Sequence, residues 1–217
     1  MATSHGKKFI QIDVSIDTVC PWCFVGRHNL QKAMDTSKEK YDFEVRYHPF
    51  FLNTSAPKEG VKKSVYWKQK FGAKNSEHME SRMGQIFRSL GYEYDLNGLT
   101  GNSLDSHRLI QFAGKQGYDK QNLVVKELLI NYFIEGKYIG DKQVLLDAAA
   151  KVGIEGASEL LDDPMKGVKE VDDDLRKYSA NISGVPYFVI NGERHLSGGQ
   201  PPEAFQVAFE SVASGAI

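Results

Sequence analysis

The sequence predicts an α/β domain that is interrupted by a long helical segment. Strand-like runs lie near both ends of the chain: apolar and polar residues alternate at 9–17 and 43–48, and residues 186–190 have strand character. The middle, from residue 58 to residue 178, instead has apolar residues at helical spacing. A chain of 217 residues with 41% hydrophobic residues can also bury a substantial core.

The beginning of the chain is predicted to form a strand, a helix and a second strand. In residues 9–17 four apolar residues alternate with polar ones and predict a strand with one buried face: Ile10, Ile12, Val14 and Ile16. Apolar residues at helical spacing follow Cys20 as far as Met34. The second alternating run stops at Pro49. This order is that of a βαβ unit.

The helical middle contains three groups of apolar residues at helical spacing. They are Met79, Met83, Ile86, Phe87 and Leu90; then Val144, Leu145, Ala148, Ala149 and Val152; then Val171, Leu175 and Tyr178. Asp141 is a suitable N-cap for a helix that begins at Lys142. The methionines are interpreted as core filling, the usual role of Met.

The end of the chain predicts a hairpin followed by a helix. Asn191-Gly192 separates two strand-like runs, residues 186–190 and 194–197, and Asn-Gly is a strong hairpin signal. The final helix contains Phe205, Val207, Ala208, Phe209 and Val212.

The chemical signal is Cys20-Pro21-Trp22-Cys23, which holds both cysteines of the chain. If Cys20 is the helix N-cap, free N–H groups of the first turn and the helix dipole can stabilise its thiolate. Cys-x-x-Cys motifs at helix starts have thiol pKa values lowered from about 8.5 to roughly 3.5 to 7. Cys20 is therefore the predicted nucleophile. Cys23, whose Cβ should lie about 5 to 6 Å away, is the predicted resolving thiol.

Two other interpretations of the cysteine pair stay open. A structural zinc site needs about four N or S ligands, and the six histidines are scattered without ligand spacing. A structural disulfide would close a very short loop and so restrict little of the unfolded chain. Redox chemistry is favoured because the pair follows a strand and opens a helix.

Charge and hydropathy exclude several partners. The formal net charge of −1 gives no electrostatic case for nucleic acid or an anionic membrane. A run of lysines at 58, 62, 63, 68, 70 and 74 could line a groove for an acidic partner, but solvated helix faces are the ordinary interpretation. No apolar signal core or membrane span is visible, so we expect a cytoplasmic protein.

Four motifs together resemble the DsbA family, most closely its FrnE-like branch. They are DTVCPWCFVG at residues 17–26, DSHRL at 105–109, GVP at 184–186 and SGGQPP at 197–202. The resemblance implies a thioredoxin-like fold interrupted by an α-helical insertion. The expected division is residues 1–57 and 181–217 for the thioredoxin-like domain and 58–180 for the insertion. The 2-hydroxychromene-2-carboxylate isomerases and the kappa-class glutathione transferases are similar to this family in fold and domain order.

The resemblance also assigns roles around the motif. It implies that Pro186 is cis and lies against the cysteine pair. Val185 could then offer its backbone N–H and C=O to an extended substrate. Pro21 and Trp22 would contact substrate from between the cysteines. DsbA has histidine where this chain has Trp22, so the strong oxidising power of DsbA does not carry over.

His107 is a further candidate, because a histidine in the cleft could shuttle a proton to a leaving thiol. A structural histidine bonded to a neighbouring helix is the favoured interpretation, since no sequence pattern places His107 near Cys20. No metal site is expected.

The first functional hypothesis is a thiol–disulfide oxidoreductase that reduces, oxidises or isomerises disulfides of proteins or small molecules. Glutathione or a thioredoxin system would be its electron partner, and no bound cofactor is expected. The alternative is a glutathione-dependent isomerase or transferase, although those relatives typically have serine at the first motif position. A third hypothesis is a chaperone that binds clients on apolar surface near Trp22.

Overall fold

The computed structural model describes residues 6–215. Strand β1 (Lys8–Ile16), helix α1 (Pro21–Ser37) and strand β2 (Tyr41–Pro49) open the chain. β1 and β2 pair in parallel from Lys8↔Tyr41 to Ile16↔Pro49. The predicted βαβ unit is therefore confirmed. Residues 1–5, 216 and 217, at the outer ends of the expected division, lie outside the described residues.

The middle of the chain is predominantly helical, as predicted. Two short strands, β3 (Val61–Lys62) and β4 (Leu99–Thr100), pair with each other on either side of α2 (Lys63–Phe71) and α3 (Ala73–Ser89). The remaining helices are α4 (Leu104–Gly114), α5 (Tyr118–Phe133), α6 (Lys142–Val152), α7 (Ala157–Asp162) and α8 (Val168–Asp174), followed by a π-helical turn, Leu175–Ser179. Asp141 is the N-cap of α6 and accepts a hydrogen bond from the Gln143 N–H at 2.7 Å.

The end of the chain returns to the first sheet. β5 (Tyr187–Ile190) and β6 (Arg194–Ser197) form the predicted hairpin, and α9 (Pro202–Ser214) follows. β5 pairs antiparallel with β1, which gives the sheet order β2-β1-β5-β6. Asn191 and Gly192 have φ of 50° and 73°, the left-handed region in which these residue types cost least. None of the helices between residues 6 and 215 is long and apolar enough to cross a membrane.

The predicted single buried face of β1 is wrong. Ile10 to Ile16 do point into the core, but Asp13 and Ser15 on the opposite face are also buried. The turn after α8 covers that face, and the Ser179 hydroxyl donates to Ser15 Oγ at 2.9 Å. The alternation within one strand could not show that a segment far along the chain would cover its second face.

The lysine-rich run also contains one exception to the expectation of a solvated face. Lys63 is only 2% exposed, and its ammonium donates to the Tyr132 and Asp95 carbonyls. Burial lowers the pKa of Lys63 to about 8. Because Tyr132 lies in the last turn of α5, the lysine satisfies a carbonyl that the helix leaves free.

His48 holds the other face of the sheet to the turn after α8. Its Nδ1 lies 2.8 Å from Asp174 Oδ2 and its Nε2 lies 2.9 Å from Asp13 Oδ1, while its ring stacks on Tyr178. Both ring nitrogens can donate only in the imidazolium form. Burial lowers the pKa of His48, but hydrogen bonds to the two carboxylates outweigh it and raise the pKa.

This cluster makes stability depend on pH. A raised folded-state pKa means that the imidazolium contribution is fully present below the unfolded value near 6.5 and is lost as pH rises through the folded value. We expect His48→Gln to lower the free energy of unfolding by about 3 kcal/mol at pH 6, since it removes the charged partner of the buried Asp13 and the half-buried Asp174. Urea unfolding at pH 6 and pH 9 should show this difference shrinking, whereas a constant difference would contradict the assignment.

Candidate active site

The cysteine motif lies where β1 turns into α1. Cys20 is the N-cap of α1, in an extended conformation, and Pro21 occupies the first helical position, as predicted. Pro suits this position because its φ is helical and its missing N–H would have no partner. The Cys20 N–H donates to the Asp17 carbonyl and the Cys23 N–H donates to the Cys20 carbonyl, both at 3.0 Å. The local sequence therefore fixes the position of both cysteines.

The two thiols form no disulfide, and their environments differ. Cys20 is 4% exposed and lines a cavity, whereas Cys23 is completely buried. Burial raises the pKa of the Cys23 thiol, as does its hydrogen bond with Cys20, and a backbone hydrogen bond with Asp17 opposes the rise. Burial thus favours the protonated form of Cys23.

The expected cap hydrogen bond to the Cys20 sulfur is absent from the described structure. No α1 backbone N–H donates to this sulfur; the thiol instead donates to the Val185 carbonyl at 3.4 Å. In the thiol form the Cys20 sulfur carries a hydrogen, which the Val185 carbonyl accepts. In the thiolate form the sulfur is only an acceptor, and that form is the one that helix N–H groups favour.

Val185 and Pro186 lie against the motif, and the bond between them is cis, as the resemblance implied. Gly26 permits this contact. A Cβ at Gly26 would lie 2.8 Å from Pro186 Cγ and 3.0 Å from Phe188 Cζ. The Pro186 carbonyl accepts a hydrogen bond from the Gly198 N–H at 2.8 Å. The GVP and SGGQPP motifs therefore meet at the start of α1.

Trp22 is half-buried at the edge of the same cavity. A Cβ at Gly199 would lie 2.9 Å from Trp22 Cε3, so the glycine lets its loop lie on the indole. The guanidinium carbon of Arg82 lies 5.7 Å from the Trp22 ring centroid. An aromatic ring and a cation thus lie at the edge of the cavity that Cys20 lines.

His107 is buried behind the motif, in α4. Its Nε2 lies 3.6 Å from Asp17 Oδ1, and this nitrogen has no hydrogen-bond partner among the described residues. Its ring packs edge-on to Phe51, 5.0 Å between centroids. The structure brings His107 to Asp17, whose carbonyl in turn binds the Cys20 N–H.

Sequence reasoning did not single out Asp17, which lines the site. Asp17 is 1% exposed, and its Oδ2 accepts a hydrogen bond from the Leu52 N–H at 2.8 Å. A signal was present, because an acid stands at the end of β1 three residues before Cys20. The alternating pattern made it look like an ordinary polar position.

A cavity of about 380 Å³ opens beside Cys20. The helical insertion forms most of its walls, with Tyr66, Trp67 and Phe71 from α2 and Met79 and Met83 from α3. The two methionines therefore line a cavity as well as fill the core. Among the described residues, no group of three or more His, Cys, Asp or Glu side chains is arranged to hold a metal ion.

The fold is similar to that of known proteins. A DSBA-like thioredoxin domain model matches residues 11–210. YwbO of Bacillus subtilis, described as an uncharacterized protein, is 26% identical over 208 residues, which are 92% of this chain and 96% of YwbO. These matches extend over both the motif and the insertion.

Two solved structures are similar over nearly the whole chain. The probable DsbA oxidoreductase SCO1869 of Streptomyces coelicolor is 25% identical with a TM-score of 0.82, covering 96% of this chain and 91% of that one. The cytosolic disulfide reductase DsbM of Pseudomonas aeruginosa, solved with GSH, is 17% identical with a TM-score of 0.61, covering 94% and 99%. The predicted fold class is confirmed. This chain belongs to the DSBA-like thioredoxin domain family.

Proposed function

We propose that this protein is a thiol–disulfide oxidoreductase in which Cys20 attacks and Cys23 resolves. The observation that carries the proposal is the asymmetry of the pair. Cys20 lines a cavity at the N-terminus of α1, beside Val185 and cis-Pro186, whereas Cys23 is completely buried. Family membership supports an oxidoreductase or a related enzyme.

The reaction is a pair of thiol–disulfide exchanges. The Cys20 thiolate attacks one sulfur of a substrate disulfide, the substrate S–S bond breaks, and the released thiolate takes up a proton. The Cys23 sulfur, after losing its proton, attacks the mixed disulfide and releases the second substrate thiol. The two electrons come from the cysteine pair, which is left as a disulfide. The same steps in reverse oxidise a dithiol.

The surrounding residues assist the first exchange. The Val185 carbonyl, which accepts the Cys20 S–H at 3.4 Å, becomes free when the thiolate forms. Val185 can then pair with substrate backbone, beside Pro186. Pro21 and Trp22 would present an apolar surface to the substrate. His107 acts only through Asp17, as a positioning residue.

Glutathione or a thioredoxin system is the proposed partner that resets the cysteine pair, in a cytoplasmic setting. Similarity to a cytosolic disulfide reductase solved with GSH supports this choice. Titration of the pair in glutathione buffers would give its reduction potential. A value well above the glutathione poise would indicate an oxidant or isomerase, and a value below it a reductant.

The function is tested by trapping the mixed disulfide. Cys23→Ser should accumulate one covalent adduct per chain on Cys20 when mixed with a disulfide substrate, because no resolving thiol remains. Peptide mass spectrometry locates the adduct. Cys20→Ser is the matched control and should form none. Absence of an adduct in Cys23→Ser, together with no disulfide turnover by the wild type, would refute the function.

A glutathione-dependent isomerase or transferase is the second candidate. The apolar cavity beside Cys20, the first residue of the motif, favours this candidate, because such enzymes need room for a second, non-thiol substrate. Retention of isomerase or transferase turnover after Cys20→Ser would support this candidate over disulfide exchange.

A further inference from the structure

The cavity beside Cys20 has the size and lining of a small-molecule site. Its volume of about 380 Å³ falls within the range of ligand pockets, about 300 to 1,000 Å³. Most of its lining is apolar, including Val61, Tyr66, Trp67 and Phe71. A polypeptide segment that entered it would bury its own N–H and C=O groups against these walls, which is costly.

The mouth of the cavity is positively charged. Lys70 of α2 and Arg82 of α3 line it with exposed side chains, and neither has a carboxylate within 4.0 Å among residues 6–215. Lys70 Nζ donates to the Tyr66 hydroxyl at 3.1 Å, and Arg82 lies over the Trp22 ring. Both cations are therefore held at aromatic walls and remain available to an anion.

The negative charge in the lining belongs to Asp17, and it is already engaged. Asp17 is 1% exposed, its Oδ2 accepts the Leu52 N–H, and its Oδ1 accepts the Val19 N–H at 3.4 Å and faces His107. Within the described part of the chain, a ligand in the cavity therefore meets two cations that have no carboxylate partner and one carboxylate that already accepts two N–H groups. A cleft of this kind concentrates anions.

We propose that this cavity takes a low-molecular-weight disulfide or thiol with a ring-containing apolar body and a carboxylate or similar anionic group. The assignment rests on the proposed function, since the ligand's sulfur must reach Cys20. The ring would lie among the aromatic walls, and the anionic group would lie at the mouth between Lys70 and Arg82. With a disulfide ligand, the Cys20–ligand S–S bond forms while the ligand's own S–S bond breaks and releases one ligand thiolate. With a thiol ligand, its thiolate attacks Cys20 of the oxidised pair, the Cys20–Cys23 bond breaks, and Cys23 leaves as the thiolate.

The test uses three disulfide probes on the Cys23→Ser variant, in which only the first exchange occurs. They are 5,5′-dithiobis(2-nitrobenzoate), aromatic and anionic; 4,4′-dithiodipyridine, aromatic and neutral; and 3,3′-dithiodipropionate, acyclic and anionic. Each second-order rate is divided by the rate of 2-mercaptoethanol with the same probe, which removes the intrinsic reactivity of the disulfide. The anionic aromatic probe should be favoured over each of the others by about tenfold.

Charge removal should act on the anionic probes alone. The double variant with Lys70→Gln and Arg82→Gln should lower the rate with the anionic aromatic probe about tenfold. Its rate with the neutral probe should stay within about twofold of the rate before charge removal. High salt should lower the rate with the anionic aromatic probe similarly. Lys68→Gln with Arg88→Gln is the matched control, because these exposed cations of α2 and α3 do not line the cavity.

The outcomes separate the ligand class from the function. The proposed ligand class is wrong if the three probes have equal normalised rates and if the Lys70/Arg82 variant reacts as fast as the Lys68/Arg88 control. Disulfide exchange at Cys20 would still stand in that case. A faster normalised rate with insulin disulfides than with the anionic aromatic probe would overturn the small-molecule assignment in favour of a protein substrate. If no probe modifies Cys20 in any variant, the proposed function itself fails.

Discussion

Cys20→Ser is expected to lower disulfide turnover by about 10³-fold or more, to the rate of the reaction in solution. Serine has nearly the shape of cysteine, so the N-cap geometry of α1 should survive, but a hydroxyl cannot form a mixed disulfide. Turnover of a model disulfide with excess dithiol measures the loss. An unchanged thermal unfolding midpoint is the control for folding. Substantial residual exchange activity would show that the reaction does not use this sulfur.

The environments of the two thiols predict a second readout of the same assignment. At pH 7, brief treatment with iodoacetamide should alkylate Cys20 and spare Cys23, because Cys23 is completely buried and burial raises the pKa of its thiol. Peptide mass spectrometry distinguishes the two sites. Equal labelling of both cysteines in the folded protein would contradict the roles assigned here.

Arg108→Met should give the largest loss of stability, about 3 to 5 kcal/mol in the free energy of unfolding. Arg108 is 1% exposed and donates to the Lys166 carbonyl at 2.7 Å, the Leu160 carbonyl at 2.6 Å and the Asp163 carbonyl. Its fourth partner is Asp105 Oδ1 at 2.6 Å. Methionine has a similar length but no donor, so the buried Leu160 carbonyl and the part-buried Lys166 and Asp163 carbonyls would lose their partner.

Arg108→Lys is the matched variant, because it keeps the charge and loses the fork of donors. A single ammonium cannot reach acceptors spread around a planar guanidinium, so the loss should be intermediate. Urea unfolding of the three proteins gives the order. A loss below about 1 kcal/mol in Arg108→Met would mean that the segment between α7 and α8 is held by other contacts.

Local features were predictable from sequence because their causes lie within a few residues. The N-cap position of Cys20 and the place of Pro21 depend on the first turn of α1 alone. The Asn191-Gly192 hairpin depends on two residues that tolerate positive φ. The DSHRL motif was recognisable, but its physical reason was not, because the carbonyl acceptors of Arg108 lie 52 to 58 residues further along the chain.

The sequence by itself determined where the cysteine pair lies and the order of strands, insertion and hairpin, whereas the attacking role of Cys20 stays a prediction. Only the tertiary structure decided what surrounds the pair. Val185 lies 165 residues from Cys20, yet its carbonyl accepts a hydrogen bond from the Cys20 thiol. The burial of Asp13, the approach of His107 to Asp17, and the cavity with Lys70 and Arg82 at its mouth likewise join distant segments. Periodicity and capping report neighbours along the chain, whereas these contacts arise when segments that are distant in the sequence pack together.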